Sequence, residues 1–167
     1  MKRWYVVHTH ANGEQKARHH LERQGFSVYL PLYSRRISHA RKVSWRPRPL
    51  FPRYLFVSLD LDAEPWRKIM STIGVLYMIC HQESPAPVPD GIVEEIRDAE
   101  NATGQVSPGK RMKLSSGDTV QITAGAMVDR IGLFEGRTDD ERVIVLLELM
   151  GRRVRTTVPV DTIEVFG

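Results

Sequence analysis

The stretch Pro49-Leu50-Phe51-Pro52-Arg53-Tyr54-Leu55-Phe56-Val57 decides how this chain folds. Its aromatic and β-branched residues predict a strand over residues 53–59. The strand begins after Pro52, because proline cannot donate to a ladder. Side chains alternate across a strand, so Tyr54 and Phe56 share one face and the residues between them share the other. Both faces are apolar, which predicts core on one face and either more core or a partner on the other.

The charge of the chain is unevenly distributed. Residues 1–59 hold 12 Lys/Arg and 2 Asp/Glu, whereas residues 60–167 hold 12 and 18. No acidic residue lies between Glu22 and Asp60. A segment of one sign beside a mildly acidic remainder indicates contact with a polyanion, although a solvated basic hairpin gives the same pattern.

Length and composition limit the class of protein. The 167 residues suffice for one ordinary domain or two small ones. No apolar run approaches the roughly 18–20 residues of a membrane span, and the first residues lack the apolar core of a secretory signal. The single cysteine, Cys80, forbids an internal disulfide and a cysteine-based zinc site. We therefore expect a monomeric cytoplasmic protein that does not contact membranes.

The first hundred residues are predicted to alternate strands with helices. A basic hairpin, with its tip near residues 39–42, precedes the central strand. The elements expected around it are strands at 4–9, 26–33 (interrupted at Pro31), 53–59 and 75–80, and helices at 14–24, 62–73 and 90–100. This pattern predicts an α+β domain over residues 1–100, with an antiparallel sheet flanked by helices.

The composition of the sequence and the spacing of its apolar residues change after this domain. Residues 101–113 are small and polar without periodicity, which predicts a linker. Beyond it, five short apolar runs alternate with turn residues, at 119–123, 131–134, 143–149, 154–159 and 162–166. Such spacing predicts a small five-stranded β-barrel over residues 114–167.

Two passages resemble the NusG family of transcription elongation factors. Trp4-Tyr5-Val6-Val7, the first helix and the 50–57 stretch are similar to the family's N-terminal (NGN) domain. The segment from Gly117 to Gly125 resembles the KOW motif that opens the family's SH3-like C-terminal barrel. Both occur in the family's order with a linker between them, and the N-terminal passages match the specialised RfaH-like paralogues closely.

This resemblance implies a non-enzymatic antitermination factor that binds the clamp helices of RNA polymerase and suppresses pausing, with specific operons as its targets in the RfaH-like case. Tyr54 and Phe56 would line the depression that receives the clamp helices. Phe51 and Pro52 would shape its edge, and His8 would lie opposite on the first strand. We accordingly expect the rings of Tyr54 and Phe56 to stay uncovered by their own chain.

Two further contacts are implied by the same resemblance. Lys16, His20 and Arg23 form a helical stripe where RfaH-like members contact the exposed non-template DNA strand. A basic stripe of this kind is also typical of a solvated helix. The loop by which housekeeping members bind a small-subunit ribosomal protein or Rho corresponds to Met150, Gly151 and Arg152.

The C-terminal segment has two expected forms. Val143, Ile144, Val154 and Val158 are β-branched and favour strands, and Gly151 is expected to weaken a helix by about 1 kcal/mol. We therefore predict a stable barrel. The alternative is a helical hairpin that masks the polymerase site, as the resemblance to RfaH implies.

No catalytic constellation is evident in the sequence. It has no glycine-rich phosphate loop, and His8 and His10 share a strand face without another ligand. We predict no catalytic residue, no metal and no cofactor. The alternative function, a ribosome- or RNA-binding KOW protein, requires RNA binding by the barrel. The 6 Lys/Arg and 9 Asp/Glu of residues 114–167 disfavour it.

Overall fold

The computed structural model describes residues 1–106, 139–151, 153–154 and 165–166. The described strands are β1 Arg3–Thr9, β2 Ser27–Tyr29, β3 Leu32–His39, β4 Lys42–Pro49, β5 Tyr54–Leu59, β6 Val75–Met78, β7 Cys80–His81, β8 Ser84–Pro85, β9 Gln105–Val106, β10 Arg153–Val154 and β11 Val165–Phe166. The described helices are α1 Glu14–Arg23, α2 Arg67–Met70, α3 Ile92–Asp98 and α4 Asp139–Leu149. None of these helices is long and apolar enough to cross a membrane.

The central sheet has four strands in the order β2-β5-β1-β6, and every pair in it is antiparallel. Strand β5 lies between β2 and β1, as its two apolar faces predict. Its register with β1 sets Phe56 opposite Val6 and Tyr54 opposite His8. The α+β class and the antiparallel sheet predicted from the sequence are therefore confirmed.

The two faces of β5 belong to two separate hydrophobic clusters. Leu55, Val57 and Leu59 pack with residues of α1 and α2 in one cluster. Tyr54 and Phe56 belong to the other, which we call the aromatic-face cluster and which includes residues of β1, α3 and α4. Each fully buried side chain of this size contributes about 1.5–3 kcal/mol, so covering both faces stabilises the sheet strongly.

Strands β3 and β4 form a long antiparallel ribbon. Its pairs run in unbroken register from Leu32 and Pro49 to His39 and Lys42. Ala40 and Arg41 at the tip have φ values of 50° and 66°, which is the backbone of a two-residue hairpin turn. The predicted tip is confirmed. The interruption predicted at Pro31 is confirmed, since Pro31 lies between β2 and β3.

Beyond residue 100 the chain still pairs with the β3–β4 ribbon, which it extends to a three-stranded sheet in the order β4-β3-β9. Strand β9 pairs in parallel with the start of β3, and Val106 is buried. These two residues fall within the segment expected to be the linker. The remainder of that segment, residues 107–113, lies outside the described residues, as does the KOW resemblance at 117–125.

The strand expected over 143–149 is wrong, because this segment is the helix α4. Its residues Val143, Val145, Leu146 and Leu147 are buried in the aromatic-face cluster. Burial against the first domain outweighs the β-propensity of the branched residues, which is a weaker and context-dependent effect. Residues 139–149 are therefore helical and do not form the barrel strand predicted here, while residues 114–138 and 155–164 of the predicted barrel lie outside the described residues.

Gly151 also differs from its expected role. The helix ends before it, and Gly151 has φ +77°, in the left-handed region that glycine adopts without penalty after a helix. Its N–H donates to the carbonyl of Glu148. Gly151 therefore terminates α4 rather than weakening its interior. Further along, β10 pairs antiparallel with β11. These two short strands overlap the strands predicted over 154–159 and 162–166.

Candidate functional site

The structure brings together the residues predicted to contact polymerase. Phe51 and Phe56 meet edge to face with ring centroids 5.9 Å apart. His8 lies against Tyr54, with centroids 4.6 Å apart across the β1–β5 pair. Pro52 stands beside them in the turn that leads into β5. His8, Phe51, Tyr54 and Phe56 therefore form one aromatic patch, and Pro52 lies in the turn next to it.

His8 is held neutral within this patch. Its ring lies between Tyr54 and Tyr77, 4.9 Å from the latter, and its Nδ1 is buried without a hydrogen-bond partner. Burial, followed by the nearby charges of Arg53 and His10, lowers the pKa of His8 to about 4. At neutral pH the patch therefore carries no charge of its own from His8, which suits an apolar partner surface.

The aromatic patch is covered by its own chain. Tyr54 is 5% exposed and Phe56 is fully buried. The cluster that contains them also holds Ile92, Val93 and Ile96 of α3. From α4 and the residue after it come Val143, Val145, Leu146, Leu147, Leu149 and Met150. The expectation of uncovered rings is therefore wrong, because apolar residues from the C-terminal part of the chain pack into the same cluster.

Polar contacts fix α4 to the first domain. Arg142 is 2% exposed, and its Nε donates to the carbonyl of Leu50 at 2.8 Å. Its guanidinium lies 4.5 Å above the ring of Tyr33 and is paired with Asp139. The Tyr33 hydroxyl in turn donates to Asp139 at 2.7 Å. Burial, together with this hydrogen bond, raises the pKa of Tyr33 above its ordinary value.

These polar contacts compensate for the cost of burying a guanidinium. An arginine without partners would be very unfavourable in this position, whereas here its donors meet a carbonyl, a carboxylate and an aromatic face. Two of those partners, Leu50 and Tyr33, flank the predicted polymerase patch. Helix α4 is therefore attached beside the patch as well as packed in its cluster.

The sequence reasoning missed Arg142, Asp139 and Tyr33. A usable signal was present in Asp139-Asp140-Glu141, because three acidic residues before an apolar run are typical of a helix N-terminus. The apolar run itself fits a buried strand or a buried helix equally well. The three acidic residues before the run favour the helix.

The predicted DNA contacts lie on α1, away from the aromatic patch. Lys16 and Arg23 are exposed, and His20 is partly exposed. Beside Lys16 there is an open depression of about 510 Å³, whose lining includes His10, Thr72 and Ile73. The stripe is therefore accessible in this structure, and its neighbouring concavity supplies both polar and apolar side chains.

The predicted ribosome or Rho contacts are only partly described. Met150 is 7% exposed because it belongs to the aromatic-face cluster. Gly151 is exposed, and Arg152 lies outside the described residues. With α4 in this position, the side chain of Met150 is not accessible to a partner. Among the described residues, no group of three or more His, Cys, Asp or Glu side chains forms a metal-binding cluster.

Comparison with known proteins identifies the class. A family model described as "Transcription termination factor nusG" matches residues 2–97, which is more than half of the chain. The chain is 27% identical over 173 residues to the transcription termination/antitermination proteins NusG of Staphylococcus aureus strains Mu50, N315 and MW2. Each alignment covers 98% of this chain and 95% of the relative. A solved structure titled "Domain interaction in Thermotoga maritima NusG" is 26% identical, with a TM-score of 0.37, and the match covers 58% of this chain and 54% of that one.

The α+β domain and the family match together define a transcription factor of the termination and antitermination class. The chain belongs to the NusG family.

Proposed function

We propose that this chain is an elongation and antitermination factor whose aromatic patch binds the clamp helices of RNA polymerase. One observation carries the proposal: the cluster around the patch already accepts an apolar helix, α4, from the chain itself. Helix-in-groove recognition uses apolar anchors of this kind, so a face that packs one helix is suited to another. His8, Phe51, Pro52, Tyr54 and Phe56 are the proposed contacts.

The position of α4 implies a competition for the patch. The clamp helices and α4 cannot occupy the same aromatic face, so the factor must open before it binds. The apparent affinity for polymerase is then reduced by the fraction of molecules that are open. This mode of control agrees with the RfaH-like paralogues that the sequence resembles. No bond chemistry is involved, because the factor acts by favouring one state of the clamp over another.

Opening also bears on the two other proposed contacts. The α1 stripe of Lys16, His20 and Arg23 is accessible with α4 in place, and we propose it as the contact for the non-template strand. Met150 becomes accessible only when α4 leaves the cluster. We therefore propose that coupling to a ribosomal protein or to Rho through Met150, Gly151 and Arg152 follows polymerase binding.

Co-purification with core RNA polymerase tests the patch. Tyr54→Ala and Leu55→Ala are matched variants, because both truncate buried side chains of β5 and they point into opposite clusters. Both are made in an Arg142→Ala background, so that α4 is already weakened. We expect Tyr54→Ala to lose polymerase binding and Leu55→Ala to keep it. Equal retention by both variants would show that the patch is not the polymerase site.

A further inference from the structure

The β3–β4 ribbon, residues 32–49, is charged in a way that clamp binding and the α1 stripe do not explain. It carries six Lys/Arg and no Asp/Glu. All six of these side chains are exposed. Trp45 is 64% exposed and Val43 is 50% exposed, both on β4. The ribbon therefore presents a dense positive surface with apolar side chains among its cations.

Cross-strand pairing makes this charge costly to the ribbon itself. Arg35 lies directly opposite Arg46. Like charges that face each other across two strands are destabilising. A hairpin that only needed solubility would gain from alternating signs, as exposed strands commonly do. The Arg35–Arg46 pair, within a ribbon of six Lys/Arg and no Asp/Glu, instead favours a ligand that supplies the negative charge.

The base of the ribbon has a concave surface for such a ligand. A depression of about 350 Å³ is lined by Arg35, Arg36, Ile37, Ser38 and Arg48. Three guanidinium-bearing residues thus border this open depression, and among the described residues that line it there is no carboxylate. Guanidinium groups bind phosphate oxygens in a fixed two-pronged geometry, so phosphate is the ligand that this lining matches best.

We propose that the β3–β4 ribbon binds the phosphate backbone of double-stranded DNA across a groove. An eight-residue strand extends about 26 Å, which spans a B-form major groove of about 12 Å and reaches phosphates on both sides. Single strands are held by several stacked aromatic side chains, and the ribbon exposes one, Trp45. The deep, narrow major groove of A-form RNA does not admit a ribbon.

Helix α4 limits this surface in the closed form. Asp139 of α4 lies 3.6 Å from the guanidinium of Arg35. While α4 is docked, the Asp139 carboxylate pairs with Arg35, one of the cations at the base of the ribbon. Departure of α4 frees Arg35 for a phosphate, so opening strengthens duplex binding. The ribbon site is separate from the proposed clamp and single-strand contacts and needs no polymerase.

Fluorescence anisotropy of a labelled 20-base-pair duplex, with the full-length chain and salt varied, tests the proposal. The ribbon variant combines Arg36→Gln, Arg41→Gln and Arg46→Gln. The matched control, Lys2→Gln with Arg67→Gln and Lys68→Gln, removes three exposed charges that lie outside the ribbon. We expect the ribbon variant to lose at least tenfold in affinity and the control to change less than twofold.

The salt dependence gives a second readout. Each phosphate contact contributes about −0.9 to the slope of log K against log salt, so the ribbon variant should lose about 2–3 from that slope. Weakening α4 with Arg142→Ala should raise duplex affinity several-fold. Equal losses in the ribbon and control variants would overturn the proposal, since net charge alone would then account for binding. A larger ribbon-dependent loss on single-stranded DNA or on RNA than on duplex DNA would overturn it too. Failure of polymerase co-purification leaves all these results unaffected.

Discussion

Replacing Arg142 with alanine is the perturbation that we expect to release α4. The side chain is 2% exposed and donates to the carbonyl of Leu50. A hydrogen bond from a charged donor contributes about 1.5–3 kcal/mol. Its position above the Tyr33 ring contributes about 1–2 kcal/mol in a desolvated setting. Because part of this is regained by solvation of the released groups, we expect about 2–4 kcal/mol of closed-state stability to be lost.

That loss corresponds to a shift of about 30-fold to 10³-fold in the closed–open equilibrium. Amide hydrogen exchange over residues 142–149 of the full-length chain measures it, since local opening sets the exchange rate of protected amides. We expect those amides to exchange faster by this factor, while β1 and β5 retain their protection. Retained protection in the strands separates opening of α4 from unfolding of the domain.

Arg67→Ala is the matched control. Arg67 also stacks on an aromatic ring, with its guanidinium 4.4 Å from the Trp66 centroid, and it is exposed on α2. Its loss should leave exchange over residues 142–149 unchanged. If Arg142→Ala and Arg67→Ala gave the same exchange in α4, the Arg142 contacts would not be what holds the helix on the first domain.

Three further outcomes are expected. Tyr33→Phe removes one hydrogen bond to α4 and should speed exchange of its amides about fivefold, for a loss of about 1 kcal/mol. His8 is neutral when folded and binds protons more readily when unfolded, so wild-type stability should fall as pH drops from 6.5 to about 4. Urea unfolding should show that His8→Phe removes up to about 3 kcal/mol of this pH dependence, and an unchanged profile would refute the assignment. Gly74→Ala should lower the melting temperature more than Gly104→Ala, because both have positive φ but only the Cβ at Gly74 would come within 2.8 Å of a backbone nitrogen of α1.

The central sheet could be predicted because its pattern is local and strong. Alternation along β5 correctly assigned Tyr54 and Phe56 to one face and Leu55 and Val57 to the other. Proline and turn residues at the ends of the strand left little choice of register. The strand order did not follow from the sequence, because β5 pairs with β1 and β2 and neither is its neighbour along the chain.

The helix α4 could not be predicted in the same way because its stability comes from distant residues. Residues 143–147 are apolar and mostly β-branched, so local propensity favours a strand. Their helical form depends on packing into a cluster formed by β1, β5 and α3, at least 45 residues away in the sequence. For the same reason alternation along β5 predicted that Tyr54 and Phe56 share a face but did not predict that both are buried. Composition identifies an apolar face, but it does not reveal what covers it.

Carbon chemical shifts of Val143–Leu149 in the full-length chain, recorded free and with a peptide hairpin of the polymerase clamp helices, test the central claim most directly. We expect helical shifts in the free chain, with contacts between α4 and the aromatic-face cluster. Binding of the clamp hairpin should abolish those contacts and change the shifts of these residues. Extended shifts in the free chain, or clamp binding that leaves α4 in contact with the cluster, would contradict the account.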